Sequence, residues 1–317
     1  MSNQTTPYVR PDVAAFLSFL NGTEAPPMSQ MGLEMARASY IAMGQLAEQP
    51  PRDLAVIRDL TCPGPAGDIA LRLYDPRESR DPGPAVAFFH GGGFVIGDLE
   101  SHHSLCTEIA AELDLPVIAV DYRLAPEHPF PAAPDDCEAA ARWIAGSPAE
   151  LGRQVTGLIP MGDSAGGNLA IVITQALAEA PAAVPVVLQV PIYPLSDEKP
   201  DHPSFLDFAE GYLLDTNSMQ WFGDSYKAIS GDPRAYPIHG EHSTTPPTVL
   251  VTAGLDPIRD SGRVYGAELI RAGAEVVFLE MKGTIHGFTQ LRKALPSAQA
   301  DMQSIFAAVR LLLERSK

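Results

Sequence analysis

A serine lies between glycines where a predicted strand meets a predicted helix. The strand covers 157–161, an alanine-rich helical pattern covers 169–180, and Ser164 stands between them in the sequence Gly-Asp-Ser-Ala-Gly. A chain that changes from strand to helix within a few residues passes through a strained corner, which holds the serine hydroxyl clear of the sheet. The unpaired N–H groups at the helix start, Ala165 among them, would face a developing oxyanion. The pattern favours Ser164 as a nucleophile; the alternative is a small turn that only links two elements.

A second glycine-rich segment follows another predicted strand. Strand 85–89 leads directly into His90-Gly91-Gly92-Gly93. Three consecutive glycines are costly in backbone entropy, so we expect another part of the backbone to approach closely here. Two N–H groups of this loop, with that of Ala165, could hold the oxyanion of a tetrahedral intermediate. A flexible turn is the alternative, and His90 is interpreted as a loop anchor.

A nucleophilic serine needs a base, and the base needs an orienting acid. Of the histidines after Ser164, His286 follows predicted strand 275–280 within Gly-Thr-Ile-His-Gly-Phe. It therefore stands at a strand's carboxyl end, where catalytic groups gather in α/β sheets. No core strand leads into His202, His239 or His242. His286 is the predicted base.

The predicted acid is Asp256, which follows predicted strand 248–252 in Ala-Gly-Leu-Asp-Pro-Ile-Arg-Asp. On its own, this aspartate reads as the cap of a helix that begins at Pro257. The order serine, aspartate, histidine, each after a core strand, favours the role of catalytic acid. Asp260, one turn further on, is the rival for that role.

Composition excludes several other classes of function. The chain has 317 residues, a net charge of −17 and 45% hydrophobic residues, which fits one large α/β domain with an insertion. The acidic balance argues against nucleic acid and anionic membranes as partners. Three cysteines without a C-x-x-C pair, no signal-peptide pattern in 1–20 and no membrane-length apolar run predict a cytoplasmic protein. The adjacent histidines at 102–103 cannot share one helical face, and the sequence contains no H-E-x-x-H motif, P-loop or dinucleotide fingerprint. We therefore predict neither a metal nor a cofactor.

Hydrophobic patterns predict a mainly parallel sheet with helices on both faces. The first three strands, 55–60, 69–74 and 85–89, have no helices between them and are expected to pair antiparallel at one edge. Beyond them we predict helices at 101–113, 134–145, 169–180, 261–272 and 297–315, and strands at 117–120, 157–161, 186–192, 248–252 and 275–280.

The alternation of strands and helices is absent from two segments, which we interpret as a cap. Residues 1–50 read as helices at 12–21 and 28–48, and an aromatic-rich insertion covers 200–236; the core then comprises 51–199 and 237–317. Methionines at helical spacing suit either packing or an adaptable acyl site. We expect the methionine and aromatic side chains of these two segments to close over a small pocket that suits acyl chains of about four to six carbons. The predicted substrate-binding residues are Met31, Met35, Phe94, Phe208, Tyr212 and Trp221.

Taken together, these segments resemble the bacterial hormone-sensitive-lipase family of esterases, which has the α/β-hydrolase fold. The matching motifs are H-G-G-G-F-V-I-G-D (90–98), D-Y-R-L-A-P-E-H-P-F-P-A-A (121–133), G-D-S-A-G-G (162–167), D-P-I-R-D (256–260) and I-H-G-F (285–288). The resemblance implies the same nucleophile, acid and base, the oxyanion donors Gly91, Gly92 and Ala165, and a helical cap. One departure is Ser261, where the family often has glutamate.

The sequence therefore predicts a carboxylesterase that acts on a small-molecule ester through an acyl-enzyme, without a cofactor. An amidase or acyltransferase with the same triad is one alternative. A non-catalytic hormone receptor is another, although receptors that resemble this family lack the histidine that His286 supplies here. The family and the last strand's expected place at a sheet edge also suggest a homodimer.

Overall fold

A single sheet forms the centre of the molecule. The computed structural model describes residues 7–23 and 26–315, and within them eight strands have the order β1-β2-β4-β3-β5-β6-β7-β8. The strands are β1 Val56–Gly64, β2 Gly67–Asp75, β3 Gly83–Phe89, β4 Val117–Asp121, β5 Val155–Asp163, β6 Val190–Ile192, β7 Thr248–Leu255 and β8 Val276–Ile285. Strand β2 pairs antiparallel with β1 and β4, and the other pairs are parallel. The predicted antiparallel edge is confirmed for β1 and β2, but the prediction was wrong for β3, which lies inside the sheet and pairs parallel with β4 and β5. Strand β8 lies at the opposite edge.

Helices cover both faces of this sheet. They are α1 Pro11–Asn21, α2 Leu33–Ala47, α3 His103–Leu113, α4 Ala132–Ala145, α5 Ala165–Glu179, α6 Pro203–Asp207, α7 Thr216–Tyr226, α8 Arg259–Arg271 and α9 Ala298–Arg315. Successive residues of β3 show the two faces: Phe88 packs in the same core as α3 and α9, whereas Phe89 packs with α4 and α5. This is the period-two pattern of a strand buried on both sides. The predicted α/β architecture is confirmed.

Some predicted boundaries were wrong. The helix predicted at 28–48 is broken: a 3-10 turn, Met28–Gln30, precedes α2, and Gly32 between them has φ +77°, outside the helical region. Strand β6 has three residues instead of seven, because Val186 and Gln189 make only single bridges with its neighbours. Helix α5 begins four residues earlier than predicted, directly after Ser164.

The N-terminal helices and the inserted segment lie against each other. The Asn21 side chain donates to the Gly211 carbonyl at 3.1 Å, and α7 contacts the Met28–Gln30 turn. Arg10 anchors the start of α1 by pairing with Asp301 on α9. Residues 1–6, 24–25 and 316–317, which belong to the predicted cap and core ranges, lie outside the described residues. None of the described helices combines the length and apolarity that a membrane span requires.

Candidate active site

Ser164 occupies the corner between β5 and α5. Its backbone angles, φ 57° and ψ −118°, lie outside the regions that L-residues favour. The flanking glycines make this corner possible: a Cβ added to Gly166 would lie 1.9 Å from the Phe89 carbonyl oxygen. The N–H of Ser164 donates to the Ile192 carbonyl at 2.8 Å, which ties the corner to β6. The hydroxyl is thereby presented at the carboxyl edge of the sheet.

His286 and Asp256 meet Ser164 at this edge. Asp256 directly follows β7, and His286 directly follows β8. The Ser164 Oγ lies 2.8 Å from His286 Nε2, and His286 Nδ1 lies 2.7 Å from Asp256 Oδ2. Both the aspartate and the histidine are buried. The second oxygen of Asp256, Oδ1, accepts from the Ile258 N–H at 2.9 Å, so this carboxylate both contacts the imidazole and caps the turn after β7.

Asp260 has different partners. Its carboxylate accepts from the Ser204 N–H at 3.0 Å and from the guanidinium groups of Arg259 and Arg263 at 2.8 and 3.0 Å. Burial would raise the pKa of Asp260, but the hydrogen bond and charge of Arg259 outweigh it and hold the pKa below its ordinary value. This residue joins α8 to α6 in the inserted segment, whereas Asp256 is the one that reaches the imidazole.

The glycine loop places Gly92 and Gly93, rather than Gly91, at the site. The Gly91 N–H donates to Asp163 Oδ1 at 2.9 Å, so the prediction of Gly91 as an oxyanion donor is wrong. Among the described residues, the N–H groups of Gly92, Gly93 and Ala165 have no hydrogen-bond partner. The run of three glycines pointed to the loop but could not show which two of its N–H groups are free.

Asp163, which precedes the serine, belongs to a buried polar network that the sequence did not reveal. Its Oδ1 lies 3.1 Å from His102 Nε2, and its Oδ2 accepts from the Tyr193 hydroxyl at 3.4 Å. Burial raises the pKa of Asp163 to about 6 and lowers the pKa of His102 well below its ordinary value. The carboxyl that holds Gly91 therefore has a pKa above that of an ordinary aspartate.

Within the described part of the chain, two cavities meet at Ser164. The larger, about 230 Å³, is lined by apolar side chains including Phe94, Phe205, Leu214, Met219, Phe222 and Tyr226. The smaller, about 120 Å³, is lined by residues including Met28, Tyr40, Met43, Ser218, Phe222, His286 and Gln290. Both contain Gly93, and both are closed in part by the N-terminal segment or α7.

Of the six predicted substrate-binding residues, Phe94 lines a cavity. The described linings do not include Met31, Met35, Phe208, Tyr212 or Trp221. Met35 is 60% exposed, and Phe208 is buried under Tyr212 and Arg259. On α7 the cavity-facing residues recur at helical spacing, 219, 222, 223 and 226, and Trp221 is rotated off that face. Aromatic content identified the segment but not which side of its helix faces the serine.

Ser261 fills the place of the glutamate common in the family. Its hydroxyl accepts from the N–H groups of Ser196 and Asp197 at 2.9 and 3.1 Å, and the Ser196 hydroxyl donates to the Ser261 carbonyl at 2.8 Å. The serine thus ties the segment after β6 to α8 without a carboxylate.

Comparisons with known proteins agree with this fold. Residues 86–290 match a family described by its alpha/beta hydrolase fold. The chain is similar to an ethyl acetate hydrolase of Pseudomonas putida, with 33% identity over 95% of this chain and 98% of that protein. It is 35% identical to a Mycobacterium tuberculosis carboxylesterase, over 91% and 92% of the two chains. Among solved structures, a hyperthermophilic esterase of Pyrobaculum calidifontis has a TM-score of 0.87 and 32% identity, with 96% and 99% coverage.

Proposed function

This chain belongs to the α/β-hydrolase family and is a carboxylesterase of its hormone-sensitive-lipase-like group, as the sequence motifs predicted, and we propose that it hydrolyses short-chain acyl esters through Ser164, His286 and Asp256. The observation that carries the proposal is the continuous chain of contacts from the serine hydroxyl through the imidazole to the buried carboxylate, at 2.8 and 2.7 Å. The free N–H groups of Gly92, Gly93 and Ala165 adjoin it.

In the proposed reaction, Ser164 attacks the ester carbonyl while His286 takes its proton through Nε2. Asp256 accepts from Nδ1–H, which holds the imidazole in the required tautomer and stabilises the imidazolium. The oxyanion of the tetrahedral intermediate is bound by the N–H groups of Gly92, Gly93 and Ala165, which need no rearrangement to do so. His286 then protonates the leaving alcohol and activates water to release the acid.

The positions of the cavities relative to His286 distinguish the two ends of the substrate. The leaving oxygen must lie beside His286 to receive its proton, and His286 lines the smaller cavity but not the larger. We therefore assign the 120 Å³ space to the alcohol and the 230 Å³ space to the acyl chain, and call them the alcohol cavity and the acyl cavity. An engineered cavity of about 150 Å³ holds benzene, so four to six carbons fit the acyl cavity and twelve exceed it.

The cap is part of this proposal. Residues 1–50 and 200–236 form the cap, and 51–199 and 237–317 form the core that carries the three reacting side chains. In support, the N-terminal segment supplies Met28 and Met43 to the alcohol cavity, and α7 supplies Met219 to the acyl cavity. Closure by the cap would exclude bulk water and confine a small ester.

The experiment compares Ser164→Ala, His286→Ala and the double variant on p-nitrophenyl butanoate. Because the members of such a triad act as a unit, each single variant should lose at least about 10⁴-fold in kcat, and the double should be little worse. His242→Ala serves as the control, since His242 packs against Tyr265 outside both cavities. Ordinary turnover by Ser164→Ala at unchanged Tm would refute the assignment of the nucleophile.

A further inference from the structure

The ring of Phe222, on α7, lies directly on the glycine loop. A Cβ added to Gly93 would meet carbons of this ring at 2.3 to 2.6 Å, so the ring packs against the bare Cα of Gly93. No residue larger than glycine fits there without displacing the ring. A cap side chain is therefore in contact with a residue whose N–H faces the proposed oxyanion.

Phe222 also borders both cavities. Ser164, Gly93, Leu214 and Phe222 are shared by the two linings. Its neighbours on α7 are divided between them: Met219, Gly223 and Tyr226 line the acyl cavity, and Ser218 lines the alcohol cavity. The helix thus lies across the boundary, with the Phe222 ring between the two spaces beside the nucleophile.

We propose that Phe222 is a specificity-determining residue, whose ring limits the size and handedness of substituents on the carbon next to the ester carbonyl. The proposal rests on the proposed function, because that carbon lies at the cavity junction only if Ser164 attacks the carbonyl. With the acyl chain directed into its cavity, an α-methyl group points towards the ring in one enantiomer and away from it in the other. Displacing a packed ring is costly, so the two enantiomers should react at different rates.

The size of this effect follows from packing. One methyl group more or less in a hydrophobic pocket changes kcat/KM by roughly 10- to 200-fold. We expect the enantiomers of p-nitrophenyl 2-methylbutanoate to differ by at least about 10-fold with the parent enzyme. Phe222→Ala should reduce this ratio to below about 3, because it should raise kcat/KM for the disfavoured enantiomer relative to both the favoured enantiomer and straight-chain butanoate.

Trp221→Ala is the matched control, because Trp221 is the adjacent aromatic residue on α7 and belongs to neither described lining. It should retain the parent ratio. Phe222→Leu keeps an apolar side chain against Gly93 and should give an intermediate ratio, and it replaces the alanine variant if that variant fails to fold. Thermal unfolding of each variant identifies such a failure.

Three results would overturn the proposal. They are a parent ratio near 1, an unchanged ratio in Phe222→Ala, and a parallel loss on straight and branched esters, which would mean that the ring only supports the Gly93 loop. Failure of the proposed function looks different, because the Ser164→Ala enzyme would then still turn over butanoate.

Discussion

Asp163 and Gly91 are joined by a hydrogen bond in which the glycine N–H donates to the carboxylate Oδ1 at 2.9 Å. The contact is close: a Cβ on Gly91 would lie 2.5 Å from the other carboxylate oxygen. The residue before Ser164 therefore holds the first glycine of the loop whose next two N–H groups face the site. One side chain links the strand that presents the serine to the loop that presents two of the proposed oxyanion donors.

This link predicts how substitutions at Asp163 affect turnover. Asp163→Asn retains an oxygen that can accept from Gly91 and should keep kcat within about tenfold of the parent. Asp163→Leu removes the acceptor and should lower kcat by roughly 10²-fold, comparable to the loss of an oxyanion donor, with a smaller effect on KM. Steady-state kinetics with p-nitrophenyl butanoate measures kcat and KM of both variants. Equal kcat values for the two variants would contradict a positioning role.

The same carboxyl predicts a pH dependence of stability. Burial raises its pKa from the ordinary 3.8 to about 6 in the folded protein, so between these values the folded chain holds a proton that the unfolded chain has released. This contribution to the free energy of unfolding therefore decreases as pH rises from about 4 to 6, by about 3 kcal/mol at most. Asp163→Asn has no titrating carboxyl at this position. The free energy of unfolding of this variant, relative to that of the parent, should therefore increase from about pH 4 to pH 6. Urea unfolding at pH 4 and pH 7 tests this; a pH-independent difference would contradict it.

The two aspartates after β7 should respond differently to the same substitution. Asp256→Asn no longer holds the required imidazole tautomer and should lower kcat by about 10⁴-fold with little change in Tm. Asp260→Asn loses charge-assisted hydrogen bonds between α8 and the inserted segment, so it should lower stability by about 1–3 kcal/mol while kcat stays within tenfold. Kinetics and thermal unfolding of both variants provide the comparison. The opposite ranking of kcat would transfer the acid role to Asp260, and equal modest losses would leave Asp256 as a helix cap.

The arrangement of Ser164, Asp256 and His286 could be predicted because it depends on topology. Each follows a core strand, and parallel strands end at the same edge of a sheet, so the order of motifs was enough to bring them together. The positions of the proposed oxyanion donors depend on more than the motif. The sequence could not show that Asp163 occupies the Gly91 N–H, since that contact joins the end of β5 to the loop after the neighbouring strand β3, far apart in the chain.

The cavity walls were the least predictable part. The aromatic content of 200–236 indicated that this segment lines the cavity. The sequence alone, however, does not distinguish Trp221 from Phe222 as the residue that faces it. Which of them faces the serine depends on the rotation of α7, and the packing of the Phe222 ring on Gly93 is a contact between segments more than a hundred residues apart. Composition identifies such a segment, whereas its orientation is decided by tertiary packing.

We also predict that the protein forms a homodimer through β8. This strand ends the sheet and leaves one backbone edge unpaired by the described strands, and Phe278 within it is 38% exposed. Light scattering should give twice the chain mass at micromolar protein and moderate salt. Phe278→Lys adds a charge to that edge and should shift the mass towards the monomer. A monomer mass for the parent protein under these conditions would refute the prediction.

The acyl cavity predicts a dependence on chain length. Each CH₂ buried contributes about 0.8 kcal/mol, or roughly fourfold in kcat/KM, so efficiency should rise from acetate until the cavity is full. Further methylenes must displace packed side chains at about 1–3 kcal/mol, which places the optimum at roughly four to six carbons. The measurement is kcat/KM across p-nitrophenyl esters of increasing acyl length, with emulsified long-chain triglyceride as the final substrate.

Met219 and Trp221 provide the matched variants for that series. Met219 lines the acyl cavity alone, so Met219→Ala should move the optimum one or two carbons longer, because the space it vacates accepts the added methylenes. Trp221→Ala should leave the profile unchanged, since its ring packs beside Phe222 and outside both described linings. A shift with Trp221→Ala alone would mean that the ring reaches the chain once substrate binds. A parent optimum at twelve carbons or more, or a rate that rises abruptly above the emulsion threshold, would mean that the cap opens onto a lipid surface instead of closing over a small ester.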